Sequence, residues 1–171
     1  MGKFKDCQKN ENTQRLFDIP IVFEQELAVT PNGLVPLSLI PGVINPGLTG
    51  HLLLKFDKTL TQMKFKLFVC SNNNNPSNFI ISTHLHIARA NANGPIVVGL
   101  FESPTPAGVV AHGRLAEGII TNGNINLNTS VKSVAGLFDA IRRGEIYVNV
   151  HTLAIPSGAI RGQIFPSETT A

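Results

Sequence analysis

The sequence is poor in charge and in large aromatic rings. Charged residues make up 15% of its 171 positions, against roughly 25% in an average globular protein. It contains no tryptophan and one tyrosine, and its 14 basic and 11 acidic residues give a net charge of +3. Because no cluster of lysine or arginine alternates with aromatic rings, the composition argues against a nucleic-acid-binding surface.

Long apolar runs are also missing. No stretch approaches the length of about 18 apolar residues that a transmembrane helix needs, so membrane insertion is not expected. The first residues, Met1–Asn12, are polar and lack the apolar core of a cleavable secretion signal.

Signatures of catalysis are absent as well. The sequence contains no G-x-S-x-G nucleophile elbow, no phosphate-binding P-loop and no dinucleotide-binding G-x-G-x-x-G. Its acids are thinly spread and form no pair suited to acid–base chemistry. We therefore expect no catalytic residues and no enzymatic activity.

Turn-forming residues, by contrast, are abundant. The chain has 16 asparagines, 15 glycines and 11 prolines, a balance typical of all-β proteins. Residues 61–70 alternate between apolar and polar side chains, as a half-buried strand does, and further strand-like segments follow at short intervals. This pattern predicts an all-β fold, an antiparallel β-sandwich or barrel with one short helix.

The helix is predicted over residues 130–143, where apolar residues recur at helical spacing and Gly144 follows as a stop. The candidates for its N-cap are Asn128, Thr129 and Ser130. Residues 21–29 and 124–127 are predicted to be strands. We expect residues 1–18 to form a polar N-terminal arm and residues 19–171 to form one domain.

Three of the five histidines stand in strand-like segments where they alternate with apolar residues. Alternation places His84 and His86 together on the face opposite the apolar core, and it places His151 on the polar face of a second strand. Imidazole suits zinc and copper. The pattern makes these three histidines a candidate metal site, with copper or zinc as the cofactor.

Further polar side chains fall on the same faces, namely Tyr147, Asn149, Arg161 and Gln163. If the strands are neighbours, these residues and the histidines form one polar field on the outer face of a sheet. A second interpretation stays open. In it, the field is a hydrogen-bonded network that holds no metal and is covered by the helix or by the Pro-rich segment, residues 31–47.

The only cysteines are Cys7, in the polar N-terminal segment, and Cys70, at the end of a predicted strand. They can form one internal disulfide, link neighbouring subunits, or remain unpaired thiols. Neither belongs to a C-x-x-C pair, so they imply no metal.

Two C-terminal motifs, Tyr147–Thr152 and Gly158–Ile164, together with Thr83–Ile87 upstream, are similar to the CHRD domain named from chordin. The resemblance, as a single-copy microbial member, implies a sandwich of immunoglobulin-like or Cu,Zn superoxide dismutase-like shape. Members of the family are usually exported. Dismutase activity requires a bridging histidine and an aspartate that binds the zinc. No aspartate here lies near a histidine in sequence, which argues against dismutase activity.

These observations lead to two functional hypotheses. The first is a non-catalytic structural or binding module that self-assembles at a cell or spore surface, as a homo-oligomer or filament joined through the N-terminal arm. Such a protein would reach the surface without a recognisable signal peptide. The alternative is a copper- or zinc-binding protein that uses the His-x-His strand.

Overall fold

The computed structural model describes residues 15–72, 75, 78–110 and 112–166. Most of the expected arm, including Cys7, lies outside these residues. The chain enters the first sheet at Leu16, inside the expected arm, because Phe17 and Ile19 are buried in the core.

Antiparallel strands dominate the described chain. The strands are β1 (Leu16–Ile21), β2 (Leu27–Thr30), β3 (Gly33–Pro36), β4 (Leu48–Phe56), β5 (Gln62–Ser71), β6 (Ile80–Ile87), β7 (Ile96–Glu102), β8 (His112–Thr121), β9 (Ile146–Thr152) and β10 (Ile160–Ile164). One sheet has the order β1-β4-β5-β8, the second has the order β10-β9-β6-β7, and β2 pairs with β3 in a separate hairpin. The predicted all-β architecture is confirmed.

The hydrophobic core lies between the two four-stranded sheets. In β5 the side chains of Met63, Phe65, Leu67 and Val69 are buried and alternate with more exposed neighbours, as the period-2 pattern predicts. Strands β9 and β10 differ, because every residue in them is buried. Their second face must therefore lie under another part of the chain.

The predicted short helix is present as α1 (Val134–Arg142) and packs against the core. Its Phe138 ring meets Phe17 and Phe56 edge-on, with centroids 6.1 and 5.0 Å away. The N-cap is Ser133, whose side chain accepts a hydrogen bond from Gly136 N. The prediction of Asn128, Thr129 or Ser130 as the cap was wrong, because the helix begins later and Thr129 Oγ1 instead donates to the Asn126 carbonyl and accepts from Val131 N.

Two predicted strands were also wrong in part. Residues 21–29 are interrupted by a 3-10 turn at Phe23–Gln25, which redirects the chain from β1 to β2. Residues 124–127 form no strand, since Asn124 bonds back to Thr121 and ends a 3-10 turn.

Strand β1 approaches β10 closely and joins the two sheets along one side. Val22 and Arg161 exchange two backbone hydrogen bonds of 2.8 and 3.0 Å. At Gly162 a Cβ atom would lie 2.4 Å from the Pro20 carbonyl oxygen and 2.9 Å from Ile19 Cγ2. Only glycine allows this approach, which places Arg161 beside the segment that follows β1.

We predict that Gly162→Ala destabilises the fold by about 1–3 kcal/mol, because the added methyl group overlaps backbone atoms that cannot turn away. The free energy of unfolding, from chemical denaturation, measures this cost. Gly99→Ala is the matched control, since Gly99 also lies in a strand but has open space around its Cβ position. Equal losses in the two variants would contradict the role given to the β1–β10 approach.

Candidate metal centre

The second sheet carries a grid of polar side chains on the face turned away from the hydrophobic core. Strand register aligns His84, Asn149 and Arg161 across three strands, and it aligns His86 with Tyr147 and Gln163 in the next row. His151 lies one row beyond Asn149, opposite Ser82. The structure therefore places every polar residue singled out from the sequence on one face.

This face is covered and is not an open surface. Apart from His84, its residues are less than 9% exposed. Gln163 N donates to Gln25 Oε1, Arg161 donates to Asn93 Oδ1, and the ring of His151 bonds the Pro156 carbonyl. The cover at these contacts is made by the 3-10 turn after β1, the β6–β7 loop and the β9–β10 turn. The second interpretation named the helix or the Pro-rich segment as the cover, and neither of them makes these contacts.

The three histidines His84, His86 and His151 converge. Each offers one ring nitrogen, and these nitrogens all lie within 4.8 Å of one another. His84 Nδ1 and His151 Nε2 are 3.2 Å apart. Two nitrogens bound to one ion at about 2.0–2.1 Å are separated by roughly 3.3–4.2 Å, so the cluster is close to the spacing of a ligand set.

The outward nitrogens of two rings determine which inward nitrogens carry a lone pair. His86 Nδ1 lies 2.9 Å from the Gly94 carbonyl oxygen, and His151 Nδ1 lies 2.8 Å from that of Pro156. A carbonyl only accepts, so each Nδ1 donates its hydrogen. In the neutral ring, each Nε2 then presents a lone pair to the cluster. His86 Nε2 is buried, and no described residue forms a hydrogen bond with it.

Burial keeps two of these rings uncharged at neutral pH. Burial is the main cause that lowers the pKa of His86 to about 4; the neighbouring histidines and the Arg161 cation act in the same direction, and the hydrogen bond to Gly94 opposes them. Burial also lowers the pKa of His151. Neutral imidazole is the form that binds metals.

His84 completes the cluster from the more exposed side. Its Nε2 lies 2.7 Å from Glu102 Oε1, a carboxylate oxygen that accepts the ring hydrogen. Its Nδ1 then faces the lone pair of His151 Nε2 at 3.2 Å. Two facing lone pairs repel each other, so either a proton or a metal ion must lie between them. The outward carbonyl and carboxylate partners are those that orient metal-binding histidines.

A stack of three side chains supports His86. The Tyr147 ring is parallel to His86 at 4.9 Å, and the guanidinium carbon of Arg161 lies 3.4 Å above the centre of the Tyr147 ring. Arg161 is 1% exposed. It donates to Asn93 Oδ1 and to the Arg89 carbonyl oxygen, and so it holds the loop whose Gly94 carbonyl orients His86.

Gln163 secures the same loop at its start. Its Nε2 lies within hydrogen-bonding distance of the carbonyl oxygens of Ala88, Gly144 and Ile146. Its Oε1 accepts from Arg161. The two side chains thus tie the β6–β7 loop to the sheet and supply the partners that buried polar groups require.

Glu26 is the buried residue that sequence reasoning missed. It is 1% exposed, and its Oε1 accepts from Leu27 N. Among the described residues, neither its Oε2 nor Asn149 Oδ1 has a hydrogen-bond partner of good geometry, and both side chains crowd the position where a Cβ of Gly158 would lie. The apolar stretch Ile19–Leu27 contains two acids, Glu24 and Glu26, and nothing in its pattern distinguished the buried one from the exposed one.

The remaining histidines and cysteines lie apart from this cluster. His51 pairs with Asp18 on the first sheet, and His112 is exposed. Cys70 is exposed at the end of β5 and forms no disulfide with any described residue. Cys7 lies outside the described residues, so a disulfide between the two remains a prediction.

Comparison with known proteins supports one assignment. A model of the CHRD domain matches residues 36–164 as one continuous segment that holds all three clustered histidines. The chain belongs to the CHRD domain family. The resemblance read from the three sequence motifs is confirmed. No curated protein and no solved structure matches the chain significantly.

Membership in the CHRD family indicates a binding or structural module of a non-enzymatic kind. CHRD domains are typically extracellular or secreted. Within the part of the chain that the structure describes, no helix has the length and apolar character needed to cross a membrane.

The buried acid of this CHRD domain leads to a prediction about pH. Burial raises the pKa of Glu26 from 4.5 to about 7, against the opposing effects of the Leu27 amide and the Arg161 cation. Between pH 4.5 and about 7 the Glu26 carboxyl has released its proton in the unfolded chain, while in the folded chain it retains the proton. Glu26 therefore lowers the free energy of unfolding as the pH rises through this window.

We predict that Glu26→Gln is stabilised relative to the wild type as the pH rises from 4.5 to 7, by on the order of 3 kcal/mol in total. Urea denaturation of both proteins at several pH values measures the difference. Both retain His86, whose own pH dependence cancels. Glu117→Gln, which removes an exposed carboxylate, serves as the control. A pH-independent difference for Glu26→Gln would refute the prediction.

Proposed function

We propose that this CHRD domain is a non-catalytic binding module whose ligand is a transition metal ion, copper or zinc, held by His84, His86 and His151. One observation carries the proposal. Three imidazole nitrogens lie within 4.8 Å of one another, while the opposite nitrogen of each ring is bonded to a carbonyl or carboxylate oxygen.

The metal hypothesis accounts for more of this geometry than a network of hydrogen bonds does. In such a network, burial is compensated when each polar atom finds a partner. The outward nitrogens meet this condition, but His86 Nε2 does not. Leaving a buried acceptor unpaired costs about 1–3 kcal/mol, and a shared metal ion would supply the partner that His86 Nε2 lacks.

Rigid placement also supports a binding role. His84 and His86 lie on β6 and His151 lies on β9, two hydrogen-bonded strands in the interior of the second sheet. Ligands on paired strands are held more accurately than ligands on loops. The loops contribute the carbonyl oxygens that orient the rings.

We predict that the purified protein, freed of metal, binds one equivalent of Zn(II) or copper and is stabilised by about 2.7 kcal/mol at a free metal concentration 100 times Kd. His86→Ala and His151→Ala should each lose both the binding and the stabilisation. Equilibrium dialysis with elemental analysis and urea denaturation with and without metal measure the two effects.

His112→Ala is the matched control, because His112 is exposed and lies outside the cluster. Equal loss of metal in His112→Ala would contradict the assignment. So would uptake of less than about a tenth of an equivalent by the wild type. In that case a proton would join His84 and His151, which ¹⁵N shifts of the ring nitrogens detect.

A second candidate function is self-assembly at a cell or spore surface, as a homo-oligomer or filament formed through the N-terminal arm and its Cys7. Two observations favour it. The segment between β1 and β4 exposes large apolar side chains, with Val29 81%, Leu39 71% and Ile44 83% exposed. Cys70 is exposed and could join a second subunit.

We predict that the wild-type protein forms species larger than a monomer in sedimentation velocity, because burial of this apolar surface favours association. The double variant Leu39→Ser/Ile44→Ser should shift the distribution toward monomer. Cys7→Ser and Cys70→Ser should remove any species that disappears under reducing conditions. A wild type that stays monomeric at about 100 µM with and without reductant would end the assembly hypothesis.

A further inference from the structure

The charges around the three-histidine cluster discriminate between the metal ions that imidazole can bind. We infer that the site selects monovalent copper, Cu(I), over divalent zinc. This inference rests on the proposed metal site and names its ligand.

The ligand set itself is neutral. Among the residues that the structure describes, the cluster of possible metal ligands contains His84, His86 and His151 and neither a carboxylate nor a thiol. Glu102 does not join it, because Glu102 bonds Nε2 of His84 and so lies across the ring from the clustered Nδ1. A bound ion therefore keeps its full charge.

That charge would be held in a largely dry environment. His86 and His151 are each 8% exposed, and the His84 side chain is 12% exposed. The cost of moving an ion from water to an interior of low dielectric rises with the square of its charge. A dication thus pays roughly four times the penalty of a monocation at equal radius, with no anionic ligand to offset it.

The nearest buried charge increases the difference. Arg161 is a buried cation, and its positive charge is felt at His86, where it opposes further positive charge. Its repulsion acts on a dication with twice the strength that it has on a monocation. Glu26 offsets Arg161 only in part, because burial raises the pKa of Glu26 to about 7.

Coordination number leads to the same choice. Zinc in proteins takes four ligands, either four from the protein or three with a water in the fourth position. Cu(I) and Zn(II) both have a filled d shell, but Cu(I), with its lower charge, accepts three nitrogens without a further ligand. The cluster offers three nitrogens, and the carbonyl oxygens of Gly94 and Pro156 are committed to the outward ring nitrogens.

The test compares the two ions on the same metal-free protein. Cu(I), supplied anaerobically as its acetonitrile complex, is competed against bicinchoninate, and Zn(II) is competed against a chromophoric chelator. We expect each ion to bind at one equivalent and this binding to depend on His86. Cu(I) should bind at least roughly 100-fold more tightly than Zn(II). Ag(I), a redox-inert monocation, should follow Cu(I).

A surface variant tests the charge argument without disturbing the fold. Glu102 is 70% exposed, and its carboxylate bonds His84 of the cluster. Removing its charge in Glu102→Gln should weaken Zn(II) binding more than Cu(I) binding, so the ratio of the two affinities should rise by several-fold. Glu117→Gln, an exposed acid on β8 that pairs with Arg114, should leave the ratio unchanged.

The outcomes separate this inference from the proposed function. Zn(II) binding that equals or exceeds Cu(I) binding overturns the selectivity and leaves the metal site standing. If neither ion binds, or if binding is retained in His86→Ala, both the metal site and its selectivity are overturned. An unchanged affinity ratio in Glu102→Gln shows that charge does not determine the choice and overturns the inference alone.

Discussion

The buried guanidinium of Arg161 is the interaction on which the polar half of this domain depends. It stacks on Tyr147, which stacks on His86, and its hydrogen bonds hold the β6–β7 loop over the second sheet. A buried cation is tolerated only where partners surround it. Those partners are mostly neutral amide and carbonyl oxygens, so its charge remains available to act on the histidines beside it.

Along β9 and β10 the second sheet is buried on both faces, and this constraint explains the character of the site. Its inner face contributes to the hydrophobic core, while its outer face must satisfy imidazole, amide and guanidinium groups away from water. Loop carbonyls satisfy the outward atoms. The inward nitrogens of the histidines are left with one another, and burial keeps His86 and His151 uncharged.

Stability and the geometry of the proposed metal site are therefore closely linked here. The contacts that close the cover over the sheet also orient the rings, since Gly94 and Pro156 each use one carbonyl for both purposes. Gly162 makes the β1–β10 approach possible and so sets the position of Arg161 beside Glu26. A change in any of these contacts would alter both stability and the spacing of the three nitrogens.

The sequence by itself determined the all-β class, the presence of the short helix α1 and the shared face of the polar residues, because each follows from local periodicity and strand alternation. Motif similarity also determined the CHRD family. Tertiary structure decided what alternation cannot express: that the polar face is covered, that Glu26 reaches it, and that three nitrogens meet within 4.8 Å. These features depend on strand order and on loops that return from distant positions, and no local pattern of side chains encodes such distances.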